Sequence, residues 1–213
     1  MHSHLAYKAI KTSQAQQNLD LLLPKVSLCN ICEHKLPLGP NPIVQLNAKA
    51  KILIASQAPG SIAHASGVPF KDKSGERLRA WMGLSEAEFF NPENVAILPM
   101  GFCYPGRAKS GDLPPTSECA EVWRNKLLPL LPNINISLLI GAYAHKWHLQ
   151  ATQKKTLTAT VQHWQDYWPT QFPMPHPSPR NNVWLSKNAW FETDIIPILQ
   201  QRIKTILQSK TIV

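Results

Sequence analysis

At 213 residues, 44% hydrophobic and 16% charged, the chain is long enough to bury the core of one domain and too short for several large ones. A formal charge of +9 favours a polyanion partner, nucleic acid before an anionic membrane surface, and no apolar run nears the roughly 18–20 residues that span a bilayer. Nineteen prolines against nine glycines point to stiffened connections rather than a disordered chain. The N-terminal stretch lacks an apolar core followed by a cleavage site, so the expected location is the cytoplasm. In that reducing compartment, cysteines serve metal or redox chemistry more often than structural disulfides.

Residues 12–23 predict a short helix, which leads into Cys-Asn-Ile-Cys and then a proline-rich loop. Residues 51–56 form the first expected strand, and it runs into the Pro-Gly turn of "SQAPG". A long loop over residues 57–75 precedes a helix that opens at Gly75 or Glu76. Residues 94–100 read as a second buried strand, followed by a loop that ends at Ser117, an N-cap for a helix over residues 119–131. The third strand, in "ISLLI", breaks at Gly141 into a helix carrying His145 and Trp147. "QFPMPHPSP" supplies a short fourth strand, and an amphipathic helix closes the chain.

Apolar strands without strict alternation, separated by helices, imply a single α/β domain. Its central, mostly parallel sheet would be covered by helices on both faces, with residues 12–45 packed against it. Ligands in such folds bind at the carboxyl ends of strands, where "SQAPG" and "PHPSP" fall.

The four cysteines form two sets. Cys29 and Cys32 make a C-x2-C pair, while Cys103 and Cys119 have fifteen residues between them, and seventy residues separate the two pairs. Two thiolates from each set would complete a tetrahedral site, so zinc, a [4Fe–4S] cluster and plain buried thiols all stay open on spacing alone.

Taken in order, "CNIC", "SQAPG", "GVPFKDKSGERLRAWMG", a strand ending at Cys103, Cys119 and "HPSPRN" resemble the uracil-DNA glycosylase superfamily, most closely its iron–sulfur branch, families 4 and 5. The resemblance covers most of the chain from Cys29 onward. It implies a DNA glycosylase of base excision repair, monomeric, acting on damaged single- or double-stranded DNA to remove uracil or a related deaminated base. Gln57 would orient the attacking water within a turn where Ser56, Ala58, Pro59 and Gly60 meet the extruded nucleotide. Phe70 would stack on the base, and His176 would hydrogen-bond its carbonyl and stabilise the anionic leaving group. Ser178, Pro179, Arg180 and Asn181 would enter the duplex beside the vacated position. Lys71, Lys73, Arg77 and Arg79 flank this site as phosphate contacts. Cys29, Cys32, Cys103 and Cys119 would ligate a structural [4Fe–4S] cluster, with zinc as the alternative.

Two positions depart from the family pattern. Family 4 carries a glutamate where this chain has Gln57, an amide that can orient a water but cannot take its proton. The nearest carboxylates by sequence, Asp72 and Glu76, do not occupy the family's position for a base. Pro99 stands where the family places an asparagine that reads uracil's Watson–Crick edge, and proline has no side-chain donor. These departures leave a second reading: a nucleic-acid-binding member of the same fold, with catalysis weakened or lost.

Overall fold

The computed structural model describes residues 2–109 and 111–209, with side chains from residue 11 onward. Helix α1 (His2–Ser27) extends beyond its expected residues 12–23 at both ends and runs past Pro24, which lacks an N–H donor. Strand β1 (Ile52–Ala55) leads to α2 (Ser61–Ser66), α3 (Lys73–Met82), α4 (Glu86–Phe90) and β2 (Val95–Ile97). A small hairpin, β3 (Arg107–Ala108) with β4 (Gly111–Asp112), precedes a π-helical turn that continues into α5 (Asn125–Leu127). Strand β5 (Ile136–Ile140), α6 (Gly141–Leu149), α7 (Leu157–Gln162), β6 (Gln171–Met174), α8 (Asn182–Lys187) and α9 (Ile196–Gln208) complete the order.

The four main strands lie in the order β2-β1-β5-β6, all parallel. Ile52 pairs with Val95 on one side and Ile136 on the other, so β1 is central and every residue in it is buried. Successive strand side chains point to opposite faces, which explains the absence of polar alternation. Ile52 and Ile54 join Leu78, Trp81, Phe191, Leu199 and Ile203 on one face. Leu53 joins Leu19, Ala96, Leu98 and Leu127 on the other, where α1 packs.

Two segments expected to be loop carry structure. Helix α2 lies within residues 57–75; its N-cap is Gly60, which has no side chain to signal a helix start. Gly67, with φ +69°, ends it in the left-handed conformation. The β3–β4 hairpin lies between Cys103 and Cys119, and its strands are too short to show a periodic pattern. At the expected start of the next helix, the Ser117 carbonyl accepts the first helical hydrogen bonds, from Ala120 and Glu121.

Several cations are used inside the fold. Arg124 is fully buried; its Nη1 donates to the carbonyls of Leu98 and Pro99, its Nη2 meets His148 Nε2, and its guanidinium lies 4.7 Å from the Trp147 ring centre. Lys51 Nζ reaches the carbonyls of Ile206, Leu207 and Ser209 at the end of α9, where cations are favoured by the helix dipole.

His145 is wholly buried, with Nε2–H donating to the Leu139 carbonyl, and burial pushes its pKa down to about 4. An unfolded chain, with an ordinary histidine, binds more protons between pH 6.5 and about 4. Folding stability should therefore fall as pH drops through that window, by up to about 1.4 kcal/mol per pH unit from this group. Urea unfolding followed across this range checks it, and a flat profile would contradict a buried neutral His145.

Candidate active site

A cavity of about 320 Å³ opens at the carboxyl ends of the strands, lined by the segments after β1, β2 and β6 and by the start of α3. Nine of the eleven residues expected to do chemistry, hold the base or enter the duplex line it: Ser56, Ala58, Pro59, Gly60, Phe70, His176, Ser178, Pro179 and Arg180. Gln57 and Asn181 are not among its walls.

The turn after β1 is fixed through its backbone. Met100 N–H donates to the Ser56 carbonyl at 2.7 Å and Gly101 N–H to the Gln57 carbonyl at 2.9 Å, which extends the β1–β2 ladder past the strands themselves. The Gln57 side chain turns away, its Nε2 donating to the Leu113 carbonyl at 3.3 Å.

Phe70 has φ +56°, a conformation that a bulky residue enters only when its surroundings compel it. Those surroundings are specific. A Cβ on Gly75 would lie 1.7 Å from the Phe70 carbonyl oxygen, so only glycine lets the first turn of α3 approach so closely. Arg79 Nη1 reaches the same carbonyl at 3.4 Å, while Phe89 meets the Phe70 ring edge-on. Asp72 caps α3, its Oδ1 accepting from Gly75 N–H at 2.9 Å, and its carboxylate also lines the cavity.

His176 sits two residues after β6 in a braced loop. Ser178 N–H donates to His176 Nδ1 at 3.2 Å, and a nitrogen that accepts a hydrogen bond carries no proton. The proton of the neutral ring therefore sits on Nε2, which is a donor. Burial lowers the His176 pKa and so favours this neutral form, while the carboxylates of Asp72 and Asp112 pull the other way. Asn181 Nδ2 donates to the His176 carbonyl at 2.7 Å, which gives Asn181 a structural role in the loop. Arg77 spans from α3 to the Pro177 and Ser178 carbonyls and the Asn182 side chain. Of the flanking cations, Arg77 and Arg79 are thus tied to the protein, Lys73 pairs with Glu76, and Lys71 is exposed.

Two carboxylates line the cavity. Asp72, set aside in the sequence because it does not occupy the family's position for a base, is one of them. Asp112 arrives on β4, and the Ser-Gly-Asp turn residues before and at that strand were the only sign of a hairpin. Pro99 presents its ring to the cavity, and its carbonyl is taken by Arg124.

Hydrogen bonds fix three of the four cysteines to their surroundings. Trp123 Nε1–H donates to Cys29 Sγ at 3.2 Å and Phe102 N–H to Cys119 Sγ at 3.4 Å, while the Thr116 hydroxyl lies 3.7 Å from Cys32 Sγ and 3.9 Å from Cys119 Sγ. A Lys35–Glu118 ion pair ties the C-x2-C segment to the helix that bears Cys119. Burial raises the Cys103 thiol to about 11, and the charges of Cys119, Cys29 and Cys32 add to it. None of the four is in a disulfide, and among the described residues no three His, Cys, Asp or Glu side chains are already grouped to hold a metal ion.

A parallel sheet covered on both faces, with an aromatic ring and a neutral imidazole donor in one cavity at its carboxyl edge, defines an α/β protein whose cavity lies where such sheets bind ligands. Residues 43–200 match the family described as the Uracil DNA glycosylase superfamily, and the chain belongs to it. Membership supports a DNA glycosylase type of function in general. The match contains Cys103 and Cys119 but begins after Cys29 and Cys32. No helix among the described residues is long and apolar enough to cross a membrane.

Gly75→Ala should force Phe70 out of position, with a stability loss of about 1–3 kcal/mol as in an overpacked core. A lowered Tm together with weaker binding of an extruded base would support this; an unchanged Tm would show that the contact yields freely.

Proposed function

We propose that the protein hydrolyses the N-glycosidic bond of uracil or a related deaminated base in DNA. The observation that carries this reading is the tautomer of His176: with Nδ1 accepting from Ser178, Nε2–H is the group free to donate. Breaking the glycosidic bond builds negative charge on the departing base, and a fixed donor at its carbonyl oxygen stabilises that charge more as the bond lengthens. Phe70 would offer a face to the flipped base, held ready by the Gly75 and Arg79 contacts. Ser178, Pro179 and Arg180 line the cavity, and their loop would take the place of the extruded nucleotide.

Base selection cannot use an asparagine at position 99, because Pro99 has neither a side-chain donor nor a free carbonyl. A second reading, DNA binding without turnover, draws on this feature and on the engagement of the Gln57 amide with Leu113. Single-turnover cleavage of oligonucleotides bearing uracil, hypoxanthine, xanthine or a normal base separates the two. Abasic sites from one substrate establish the glycosylase, and binding without cleavage of any establishes the alternative. His176→Ala should slow base release by at least about 100-fold, the scale of a lost oxyanion donor, and an unchanged rate would remove His176 from the chemistry.

We further propose that Cys29, Cys32, Cys103 and Cys119 hold a [4Fe–4S] cluster, zinc being the alternative. The Thr116 hydroxyl shared by Cys32 and Cys119 and the N–H donors of Trp123 and Phe102 support a thiolate centre, since such donors offset sulfur charge. Its contribution when bound would be structural, fastening the C-x2-C segment to the domain. Purified protein should carry iron and sulfide with a broad visible absorption, and Cys103→Ser should lower stability more than the rate per folded molecule. Colourless protein with stoichiometric zinc would replace the cluster by zinc.

A further inference from the structure

The glycosylase reading leaves the attacking water without a base, because Gln57 cannot accept a proton and its amide is already engaged. The chain supplies a carboxylate from elsewhere. Strand β4 brings Asp112 against the turn after β1, its Oδ2 lying 4.0 Å from the point a Cβ on Gly60 would occupy. Asp112 lines the same cavity as His176 and Phe70. The hairpin is held there in part by Gln57, whose Nε2 donates to the carbonyl of Leu113, the residue next to Asp112. A second bond, Leu113 N–H to the Gly106 carbonyl at 2.9 Å, closes the hairpin's base.

We propose, on the basis of the glycosylase reading, that Asp112 is the catalytic residue that activates water, and that Gln57 is a positioning residue for the hairpin that carries it. Asp72, the other carboxylate in the cavity, has one oxygen committed to capping α3. Asp112 has a looser partner, Arg180 Nη1 at 3.9 Å, and both side chains face solvent, 36% and 56% exposed. A DNA phosphate can draw Arg180 away, since exposed pairs of this kind are weak, and the carboxylate is then left for the water.

The step balances as a hydrolysis. The water oxygen bonds to the sugar's anomeric carbon as the bond from that carbon to the base nitrogen breaks, and the bonding pair leaves with the base. The water's proton passes to the Asp112 carboxylate and from there to solvent. The base anion, held at its oxygen by His176, takes up one proton, so one water is consumed for each abasic site and free base.

The test compares single-turnover rates of the wild type, Asp112→Ala, Asp112→Asn and Gln57→Glu on the cleaved substrate, with DNA binding and Tm measured alongside. Both Asp112 variants should bind DNA and unfold as the wild type does yet react at least about 100-fold more slowly, the usual scale of a lost general base. Added formate should restore part of the rate to Asp112→Ala, whose shortened side chain makes room, and little to Asp112→Asn. Gln57→Glu should also lose rate, because a carboxylate cannot donate to the Leu113 carbonyl. Wild-type rates in the Asp112 variants, slow Asp112→Ala without formate rescue, or a faster Gln57→Glu would each overturn the assignment while leaving the glycosylase reading intact. A wild type that cleaves none of the substrates overturns both.

Discussion

A parallel sheet buried on both faces leaves the chain one place to gather polar side chains, the carboxyl edge of its strands. In this protein β1 has no exposed residue; β5 pairs along its whole length and β2 along Ile52–Ile54. Parallel strands must therefore be joined by crossovers, and the segments that leave β1, β2 and β6 meet over one cavity. The turn of Ser56 to Gly60, the Pro99 segment and the His176 loop are neighbours because strand pairing makes them so. None of these segments would face another in an extended chain.

What holds the site in shape is mostly backbone acceptors gripped by cations. Arg77 joins α3 to the His176 loop, Arg79 holds the Phe70 carbonyl, and Arg124 takes the carbonyls of Leu98 and Pro99. A guanidinium suits this work because its donors are fixed in one plane and it stays charged when buried. The consequence for recognition is that net charge overstates the cations open to DNA. Arg180 and Lys71 face outward, while three arginines that look like phosphate contacts or surface charge in the sequence are internal braces.

Phe70 and Gly75 illustrate how local strain is maintained. The left-handed backbone of Phe70 carries a free-energy cost, offset by contacts made on all sides: Phe89 against the ring, Arg79 at the carbonyl, and α3 pressed in close where Gly75 has no side chain. Such a conformation persists where the surrounding structure determines it several times over. It sets the ring beside the cavity before any ligand arrives, which spares the binding step the entropy of ordering that side chain.

The sequence by itself determined the buried strands, the helices between them and the order of the motifs that places the chain in its family, because apolar runs, caps and turn residues act over a few neighbouring positions. Ser56, Pro59, Phe70 and His176, which line one cavity, could be singled out from the turns and motifs in which they sit. Short elements such as α2 and the β3–β4 hairpin were not, since six residues after a glycine cap, or two residues per strand, carry no periodicity to read. Only the tertiary structure decided that the Gln57 side chain leaves the cavity for the Leu113 carbonyl, that Asp72 and Asp112 enter it, and that the proton of His176 belongs on Nε2. Those facts depend on which backbone donor or acceptor lies within about 3 Å of a side chain. Packing sets that distance between segments far apart in the chain, and the residue types alone do not encode it.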